Sequence, residues 1–380
     1  MRMTAAVMYE QGLPTPFAQS QPFRIEEVEL DPPGPGEVLV EIRAAGLCHS
    51  DLSVVEGQRK RPLPIVGGHE GAGIVRQVGA GVTGLSPGDH AVLINVAGCG
   101  RCRVCLAGRP GLCQAISTSR AEGKIATGAR RLHRLDGGTL NHYSGLSVFA
   151  QYTVVVPDAV VKIDPRVPFD VAALFGCGVV TGVGAVLNSA KVPRGAVVAV
   201  IGLGGVGLSA VMAAREAGAS RIVGIDVLPS KFDLARAVGA TDCIDARDPQ
   251  AVQQMLALTQ GGADFTFEVS GNTAALGMAQ AVTVRGGEVV LVGVGKAETE
   301  FAVRPLAMVT DERVLRGSYM GGCVPQRDIP LFIDMYLKGR LPVDLLRSEH
   351  IGFDRLNESL DLLAKGAVVR QILLPHGVAS

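Results

Sequence analysis

The sequence predicts an α/β protein that combines a β-rich domain with a doubly wound parallel sheet, and three observations lead to this prediction. The chain has 380 residues, enough for two domains that each bury a core. Its first half consists of short Val, Ile and Ala runs broken by Gly and Pro, a rhythm typical of a barrel-like β domain. From about residue 179, strand and helix patterns alternate, as they do in parallel sheets covered by helices.

The β-rich part begins with MRMTAAVMYE, which has no long apolar core and is predicted to be a strand. Further strand-rich segments follow, namely EVLVEIRAAG, EGAGIVRQVGAG, GDHAVLINVAG and AQYTVVVPDAVVKI. The alternating part offers six candidate strands, namely AVVAVI, RIVGID, DCID, DFTFEV, EVVLVG and VLRGSY. After Tyr319, two helical segments and VVRQILL are predicted to return to the first domain. We therefore expect 1–178 with 320–380 to form the β-rich domain, and 179–319 to form the parallel-sheet domain.

Composition excludes several classes of protein. Equal numbers of basic and acidic side chains, 36 of each, argue against a dedicated nucleic-acid surface. Two uncharged stretches, 171–190 and 195–214, are interrupted by several glycines, so we expect protein interior and no membrane span. Eight cysteines in a chain of this size, with no signal peptide evident, favour a reducing cytoplasm in which thiols are free to bind metal.

A glycine-rich turn follows the first strand of the alternating part. The segment Gly202-Leu-Gly204-Gly205-Val-Gly207 has the GxGxxG pattern and opens a predicted helix. Such a turn lets the backbone approach a pyrophosphate, and the helix N-terminus offers N–H groups to the phosphates. Asp226 ends the second strand, where a carboxylate holds both ribose hydroxyls and repels a 2′-phosphate. The pattern therefore predicts a dinucleotide site that favours NAD; the alternative is a tight structural turn.

Four cysteines lie close together in a glycine-rich loop with the spacing C-x2-C-x2-C-x7-C: Cys99, Cys102, Cys105 and Cys113. Four thiolates so arranged in a cytoplasmic chain favour a closed, tetrahedral structural zinc site. Disulfides are disfavoured by the compartment, and iron–sulfur clusters usually have other spacings.

A second set of possible metal ligands is dispersed along the chain. Cys48 lies in AGLCHSD, His69 and Glu70 lie in GGHEGAG, and Cys177 lies in FGCGVVTG. Each residue alone is explained as well by packing in a core. Their glycine-flanked positions at a predicted domain junction favour a catalytic zinc, held by two thiolates and one imidazole with a fourth position open.

These motifs, in their order and spacing, make the chain resemble the zinc-dependent medium-chain alcohol dehydrogenases from end to end. The resemblance rests on GHE, the four-cysteine loop, GCG-x-x-TG, GLGGVG and VVRQILL. It implies a GroES-like catalytic domain, a Rossmann nucleotide-binding domain and an active site in the cleft between them. The segment between Cys113 and Gln151 is about as long as in the dimeric animal- and plant-type members, which implies a homodimer.

The resemblance also implies roles for individual residues. Cys48, His69 and Cys177 match the catalytic zinc ligands, and Glu70 matches a carboxylate that approaches the metal. Asp51 matches the residue that orients the histidine, and Ser50 matches the hydroxyl that binds the substrate alcohol. The implied coenzyme contacts beyond the turn and Asp226 are His49, Thr181, Val206, Lys231, Val269, Val292, Val294 and Arg370.

One position departs from the family pattern. Many members have a histidine five residues after the first zinc ligand, which completes a proton relay, whereas this chain has Ser53. Beyond Ser50, the proton must therefore leave by water, His49 or another group.

The implied activity is reversible hydride transfer between an alcohol and NAD, assisted by zinc. Asn95, Ser144 and Arg59 match the pocket wall and are polar, which suggests a primary alcohol or aldehyde with an aromatic ring or polar group. One alternative is a glutathione-dependent formaldehyde dehydrogenase, for whose cationic pocket only Arg59 and Arg120 are suitably placed. The other is a non-catalytic nucleotide-binding or redox-sensing protein, which would be expected to have lost a ligand or Ser50.

Overall fold

The structure is a computed structural model that describes residues 1–296 and 298–378. The chain folds into two compact units. The first contains Met1–Cys177, Val324–Asp334 and Arg347–Ser380, and the second contains Gly178–Cys323 and Met335–Leu346. We expected 1–178 and 320–380 in the first domain; Gly178, the segment 320–323 and the segment Met335–Leu346 cluster instead with the second unit, because their contacts are mainly within that unit.

The described strands, in chain order, are β1 (Arg2–Met8), β2 (Phe23–Leu30), β3 (Val38–Gly46), β4 (Ile65–Val66), β5 (Gly71–Val78), β6 (His90–Leu93), β7 (Leu132–Arg134), β8 (Thr139–His142), β9 (Tyr152–Val155), β10 (Val160–Lys162), β11 (Val197–Ile201), β12 (Arg221–Asp226), β13 (Asp242–Asp245), β14 (Ala263–Glu268), β15 (Thr283–Leu291), β16 (Val314–Gly317), β17 (Arg347–Ile351) and β18 (Arg370–Leu373).

The α-helices are α1 (Phe17–Ser20), α2 (His49–Val55), α3 (Arg103–Leu106), α4 (Gln114–Ala121), α5 (Phe169–Ala172), α6 (Gly178–Gly184), α7 (Gly205–Glu216), α8 (Phe232–Val238), α9 (Ala251–Leu258), α10 (Thr273–Val282), α11 (Pro305–Asp311), α12 (Pro325–Leu337) and α13 (Leu356–Ala364). The π-helical segment Ala185–Ala190 continues α6. Short 3-10 turns occupy Pro110–Leu112, Tyr143–Gly145, Pro157–Ala159, Ala173–Gly176, Pro229–Lys231, Met320–Gly322, Val343–Leu346 and Phe353–Arg355.

The first unit is β-rich, as predicted. Strands β1, β2, β7, β8 and β4 form a closed barrel, and a second sheet has the order β10-β6-β5-β3-β18-β17 with β9 also paired to β3. Apolar side chains fill both layers, with Phe17, Ile42 and Phe149 completely buried or nearly so. The C-terminal strand β18 pairs antiparallel with β3, where Ile372 lies opposite Gly46. The C-terminal segment therefore completes a sheet that begins in the first part of the chain.

The second unit is a six-stranded parallel sheet in the order β13-β12-β11-β14-β15-β16. All six strands predicted from the alternating pattern are present. The order reverses between β11 and its neighbour β14, and in open α/β sheets ligands bind at the carboxyl ends of the strands beside such a reversal. Buried Ala199, Val223 and Met255 contribute to the core of this unit.

Within the described parts of the chain, no single helix is long and apolar enough to cross a membrane. The helical segments Phe169–Gly176 and Gly178–Ala190 reach the length and apolar composition of a membrane span only when they are taken together. Every residue of α6 is buried, as in the core helices of globular proteins.

Candidate metal centres and nucleotide site

The dispersed ligands meet because neighbouring strands of the first unit end at one place. Cys48 comes two residues after β3, and His69 and Glu70 come just before β5, which runs antiparallel to β3. The Gly46 N–H donates to the Glu70 carbonyl at 2.8 Å, which ties the two strand ends together. Cys177 follows the turn Ala173–Gly176, which packs on β3, β5 and β6.

These four side chains form a compact, buried group. One ligand atom from each of Cys48, His69, Glu70 and Cys177 lies within 4.8 Å of the others. The His69 Nε2 atom is buried, and no described residue forms a hydrogen bond with it. A buried imidazole nitrogen without a partner is costly in a protein interior. Two thiols and this nitrogen are the donor set that catalytic zinc prefers, so the residues fit that metal.

Asp51 fixes the orientation of the histidine. Its Oδ1 atom lies 2.9 Å from His69 Nδ1, and its Oδ2 atom accepts the Cys48 N–H at 3.0 Å. With Nδ1 held by the carboxylate, Nε2 is the atom left to bind a metal. Burial alone would lower the pKa of His69, but the adjacent Asp51 carboxylate outweighs this effect and raises it. Asp51 thus has the geometry that the resemblance assigned to it.

Arg370 enters the same group from the start of β18. Its Nε atom lies 3.5 Å from Glu70 Oε1, and its Nη2 atom lies 3.9 Å from Cys48 Sγ. Burial raises the pKa of Glu70 to about 8, although the Arg370 charge opposes this shift. Hydrogen bonding from Cys177 and the Arg370 charge hold the pKa of Cys48 well below its usual value. The guanidinium therefore stabilises negative charge on the ligands.

Tyr143 is a further neighbour of this group of ligands. Its ring packs edge-to-face on the His69 imidazole, with the ring centroids 5.5 Å apart. Its hydroxyl donates to the backbone carbonyl of Ser50 at 3.1 Å. No local pattern could have shown this contact, because Tyr143 is 74 residues away from His69 in the chain, as their numbers show.

The four-cysteine loop also forms a metal-sized cluster. The ligand atoms of Cys99, Cys102, Cys105 and Cys113 all lie within 4.8 Å of one another. The Sγ···Sγ distances are 3.4 Å (Cys102 to Cys105), 3.9 Å (Cys102 to Cys113) and 4.0 Å (Cys99 to Cys105). A zinc–sulfur bond of about 2.3 Å implies edges of about 3.8 Å in a tetrahedron, so the cluster fits zinc.

One thiol of this loop, that of Cys99, is poised to lose its proton, whereas burial raises the pKa of Cys105 to about 12. Backbone N–H groups of Arg101 and Cys102 lower the pKa of Cys99 to about 6. None of the eight cysteines forms a disulfide.

In the second unit, the glycine turn connects β11 to α7 as predicted. Gly202 has φ of +102°, a conformation that glycine adopts without strain. A Cβ atom on Gly207 would lie 1.8 Å from the Gly202 carbonyl oxygen, whereas one on Gly204 would meet nothing within 4 Å. Gly207 therefore serves packing, and Gly204 leaves open space beside the turn.

Asp226, at the end of β12, lies beside this turn. Its carboxylate accepts the Leu203 N–H at 2.6 Å and the Leu228 N–H at 2.9 Å. Lys231 Nζ lies 3.2 Å from the same carboxylate. The acid is therefore anchored to the turn, and Lys231 is its ion-pair partner.

The other predicted coenzyme residues of this unit lie around the same sheet edge. Val269 and Val292 follow the carboxyl ends of β14 and β15, where the Val269 N–H donates to Ile201 and the Val292 N–H to Glu268. Thr181 lies on α6, which packs tightly on α7 near Val206. Val294 is exposed. The predicted coenzyme residue His49 belongs to the first unit, where it is exposed and begins α2.

A β-rich unit with two metal-fitting clusters, and a second unit with a dinucleotide turn, define a zinc-binding dehydrogenase. Family models agree: residues 34–165 match the alcohol dehydrogenase GroES-like domain, and residues 205–338 match the zinc-binding dehydrogenases. The chain belongs to the zinc-dependent medium-chain alcohol dehydrogenase family, as its motifs predicted, and it is an oxidoreductase.

Individual relatives cover almost the whole chain. An S-(hydroxymethyl)glutathione dehydrogenase from Photobacterium damsela subsp. piscicida is 40% identical over 377 residues, 98% of this chain and 100% of that protein. An alcohol dehydrogenase zinc-binding domain protein from Burkholderia ambifaria has a TM-score of 0.93 and 35% identity, covering 99% of this chain and 100% of its own. Benzyl alcohol dehydrogenase from Acinetobacter calcoaceticus has a TM-score of 0.91 and 30% identity, covering 98% of this chain and 99% of its own.

Proposed function

We propose that this protein is an NAD-dependent zinc dehydrogenase that interconverts a primary alcohol, with an aromatic ring or polar substituent, and its aldehyde. The observation that carries the proposal is the buried group of Cys48, His69, Glu70 and Cys177, in which His69 Nε2 has no partner within the described chain. Burial keeps these ligands away from water, and a zinc ion held by the two thiolates and the imidazole keeps an open position for substrate.

When bound, zinc would supply Lewis-acid polarisation of the substrate oxygen, and NAD would supply the hydride acceptor. The residues of the chain supply position and proton transfer. Asp51 holds His69 in the tautomer that presents Nε2, through its 2.9 Å contact with Nδ1. Ser50 Oγ is proposed to bind the substrate hydroxyl and to receive its proton.

The preference for NAD rests on Asp226. A carboxylate at the end of β12 is suited to two ribose hydroxyls and repels a 2′-phosphate, which favours NAD over NADP. Because the Leu203 N–H already donates to this carboxylate, its position relative to the glycine turn is fixed. His49, Lys231 and Arg370 are proposed as the cationic contacts of the coenzyme.

The proposed substrate class rests on the polar character of the pocket wall. Asn95 is nine-tenths buried, and no described residue forms a hydrogen bond with its Oδ1 atom. A buried amide oxygen of this kind favours a substrate with a polar substituent. Similarity to a benzyl alcohol dehydrogenase supports a ring-bearing substrate.

A second candidate is the oxidation of S-(hydroxymethyl)glutathione. It is favoured by the 40% identity to a dehydrogenase of that name, over 98% of this chain. Its substrate carries carboxylates, which need cationic residues in the pocket.

Steady-state kinetics with NAD and NADP distinguish these activities. We expect kcat/KM for benzyl alcohol to exceed that for hexanol, and NAD to be preferred to NADP. A higher kcat/KM for S-(hydroxymethyl)glutathione than for benzyl alcohol would establish the second candidate. Clear preference for hexanol would contradict the proposed substrate class.

The number of zinc ions bound per chain, measured by metal analysis, tests the proposed catalytic metal site. Two zinc ions per chain are expected, and Cys48→Ser should lose one of them together with the activity. Cys243→Ser is the control, because Cys243 belongs to neither cysteine cluster. A wild-type chain with one zinc or none would contradict the proposal.

We further propose a homodimer in the cytoplasm. The length of the segment after Cys113 supports the dimer, and eight cysteines without a disulfide suit a reducing compartment. The strand β16 is at an edge of the parallel sheet, with apolar Leu306 and Val309 exposed on the preceding helix α11. An exposed strand edge beside apolar side chains is suited to pairing with a second copy.

A further inference from the structure

The chain after β8 runs alongside the backbone that leads into His69. The Val148 N–H donates to the Gly68 carbonyl at 3.1 Å, and Gly68 is the residue before His69. At the other end of this short segment, the 3-10 turn Tyr143–Gly145 directly follows β8, which pairs with β4. The turn is therefore fixed relative to one of the proposed zinc ligands.

Ser147 secures this turn from inside the protein. It is completely buried, and its φ of +56° lies in the left-handed region that residues other than glycine rarely adopt. Its hydroxyl accepts the Tyr143 N–H at 2.9 Å and donates to the Val66 carbonyl at 2.9 Å. These two hydrogen bonds stabilise the strained backbone and fix the position of Tyr143 relative to β4.

The side chain of Tyr143 connects His69 to the helix α2. Tyr143 is buried, and its ring packs edge-to-face on the imidazole, with the ring centroids 5.5 Å apart. Its hydroxyl donates to the Ser50 carbonyl, in the first turn of α2, at 3.1 Å. A buried hydroxyl is costly without an acceptor, so this hydrogen bond stabilises the buried position of the ring. One side chain thus contacts both a proposed zinc ligand and the backbone of the proposed substrate-binding serine.

We propose that Tyr143 is a positioning residue, which holds Ser50 in the orientation that binds the substrate hydroxyl. The inference rests on the proposed function and deepens it. A helix of only seven residues is weakly stabilised by its own hydrogen bonds, so contacts from outside decide how its first turn is held. The hydrogen bond from Tyr143 supplies such a contact, and Ser147 and His69 hold the tyrosine from two sides. Because a displacement of about 1 Å can slow a reaction about 100-fold, this contact bears directly on the rate.

Removal of the hydroxyl alone tests this role. Tyr143→Phe keeps the ring on His69 and should lower the single-turnover rate of NADH formation from benzyl alcohol about five- to tenfold, the size expected for one hydrogen bond. The number of zinc ions per chain and the affinity for NAD should stay at their wild-type values. Tyr9→Phe is the control. It removes a hydroxyl hydrogen bond of 2.6 Å to Glu26, on strand β2 of the barrel, and should leave the rate unchanged.

A double-mutant cycle with Ser50 distinguishes positioning from a general structural effect. Ser50→Ala removes the serine hydroxyl and keeps the carbonyl that accepts from Tyr143. If Tyr143 acts through Ser50, adding Tyr143→Phe to Ser50→Ala should change the remaining rate by less than about twofold. Single turnovers with enzyme in excess keep this slow rate measurable. An equal loss in both backgrounds, a wild-type rate in folded Tyr143→Phe, or a wild-type rate in Ser50→Ala would overturn the proposal.

A second variant serves if thermal unfolding shows that Tyr143→Phe does not fold. Ser147→Gly tolerates the positive φ and removes the hydroxyl that accepts the Tyr143 N–H. It should lower the single-turnover rate of the wild type and have little effect in the Ser50→Ala background. Equal losses in the two backgrounds would again refute positioning through Ser50.

Failure of the proposed function has a different signature, because the zinc-loaded wild type then oxidises no alcohol, benzyl alcohol included. In that case, amide hydrogen exchange decides the positioning by itself. Tyr143→Phe should speed exchange in the peptide that contains α2, whereas Tyr9→Phe should not. Exchange at the wild-type rate in Tyr143→Phe would refute the hold of Tyr143 on Ser50.

Discussion

At the scale of single residues, the geometry around His69 is set by one carboxylate. Asp51 contacts the His69 Nδ1 atom and the Cys48 N–H at the same time, so it positions two of the proposed metal ligands. Such partners of a metal-binding histidine commonly change metal affinity when they are removed.

We predict that Asp51→Asn weakens zinc binding at this centre by about 10- to 100-fold. The amide cannot accept both hydrogen bonds, so His69 loses its fixed orientation. Competition with a chelator, followed by metal analysis, measures the effect. Asp31→Asn is the control. Asp31 also contacts a histidine, with its Oδ2 atom 2.9 Å from His133 Nε2, but neither residue belongs to a proposed metal site. Equal zinc affinities in the two variants would contradict this role.

A second residue-scale prediction concerns the exit of the proton. The Ser53 hydroxyl donates to the His49 carbonyl at 2.9 Å, and serine has no titratable group near neutral pH. Ser53→His introduces an imidazole with a pKa near neutrality, so we predict that the pH dependence of turnover shifts towards neutral pH. Ser53→Ala should not produce this shift. An unchanged pH–rate profile in Ser53→His would count against a relay through this position.

At the scale of elements, two glycines of the turn between β11 and α7 have different expected roles. Gly207 is needed for packing, and Gly204 is predicted to leave space for the coenzyme. We predict that Gly204→Ala folds normally and binds NAD more weakly, since its Cβ meets no protein atom within 4 Å. Gly207→Ala should destabilise the protein, because its Cβ would lie 1.8 Å from the Gly202 carbonyl oxygen. Thermal unfolding and NAD titration measure the two effects. Normal NAD affinity in Gly204→Ala would place the pyrophosphate elsewhere.

The strand β8 ends in a histidine that must stay neutral. His142 is completely buried, its Nε2 atom accepts the Arg131 N–H at 3.1 Å, and burial lowers its pKa to about 3. An unfolded chain protonates histidine near about pH 6.5. Between about pH 6.5 and about pH 3, the unfolded state therefore binds a proton that the folded state lacks, and the free energy of unfolding falls as the pH falls.

We therefore predict that His142→Gln, which keeps an acceptor for the Arg131 N–H, reduces the loss of Tm between about pH 7 and about pH 5. His133→Gln, at a partly exposed position, should not reduce it. The slope of Tm against pH is the measurement, since it separates the titration from any general loss of stability. Parallel slopes for wild type and His142→Gln would show that this histidine does not control the acid response.

At the scale of the whole molecule, the proposed homodimer is tested by light scattering after size exclusion. Val309→Asp should shift the protein towards monomer, because Val309 is 75% exposed on the helix beside the edge strand β16. Leu331→Asp, on α12, is a control that should leave the mass unchanged. A tetramer in the wild type would overturn the proposal, and a dimer unaffected by Val309→Asp would place the interface elsewhere.

Local patterns were sufficient to predict much of this protein. The six parallel strands, the glycine turn and the four-cysteine loop follow from short-range signals, because hydrophobic period, turn glycines and ligand spacing are encoded in nearby residues. The family resemblance added a role for Asp51, whose carboxylate contacts His69, and a coenzyme role for Arg370, which stays a prediction.

Other features depend on residues that are far apart in the chain. The contact of Tyr143 with His69 and the direction of Arg370 into the metal group had no local signal. They arise from sheet register, such as the pairing of Ile372 with Gly46, which is decided only when all strands pack together. The sequence by itself therefore determined the fold class and the candidate ligands, and tertiary structure decided which charges surround them, because electrostatic and packing neighbours depend on distances in space and not on positions in the chain.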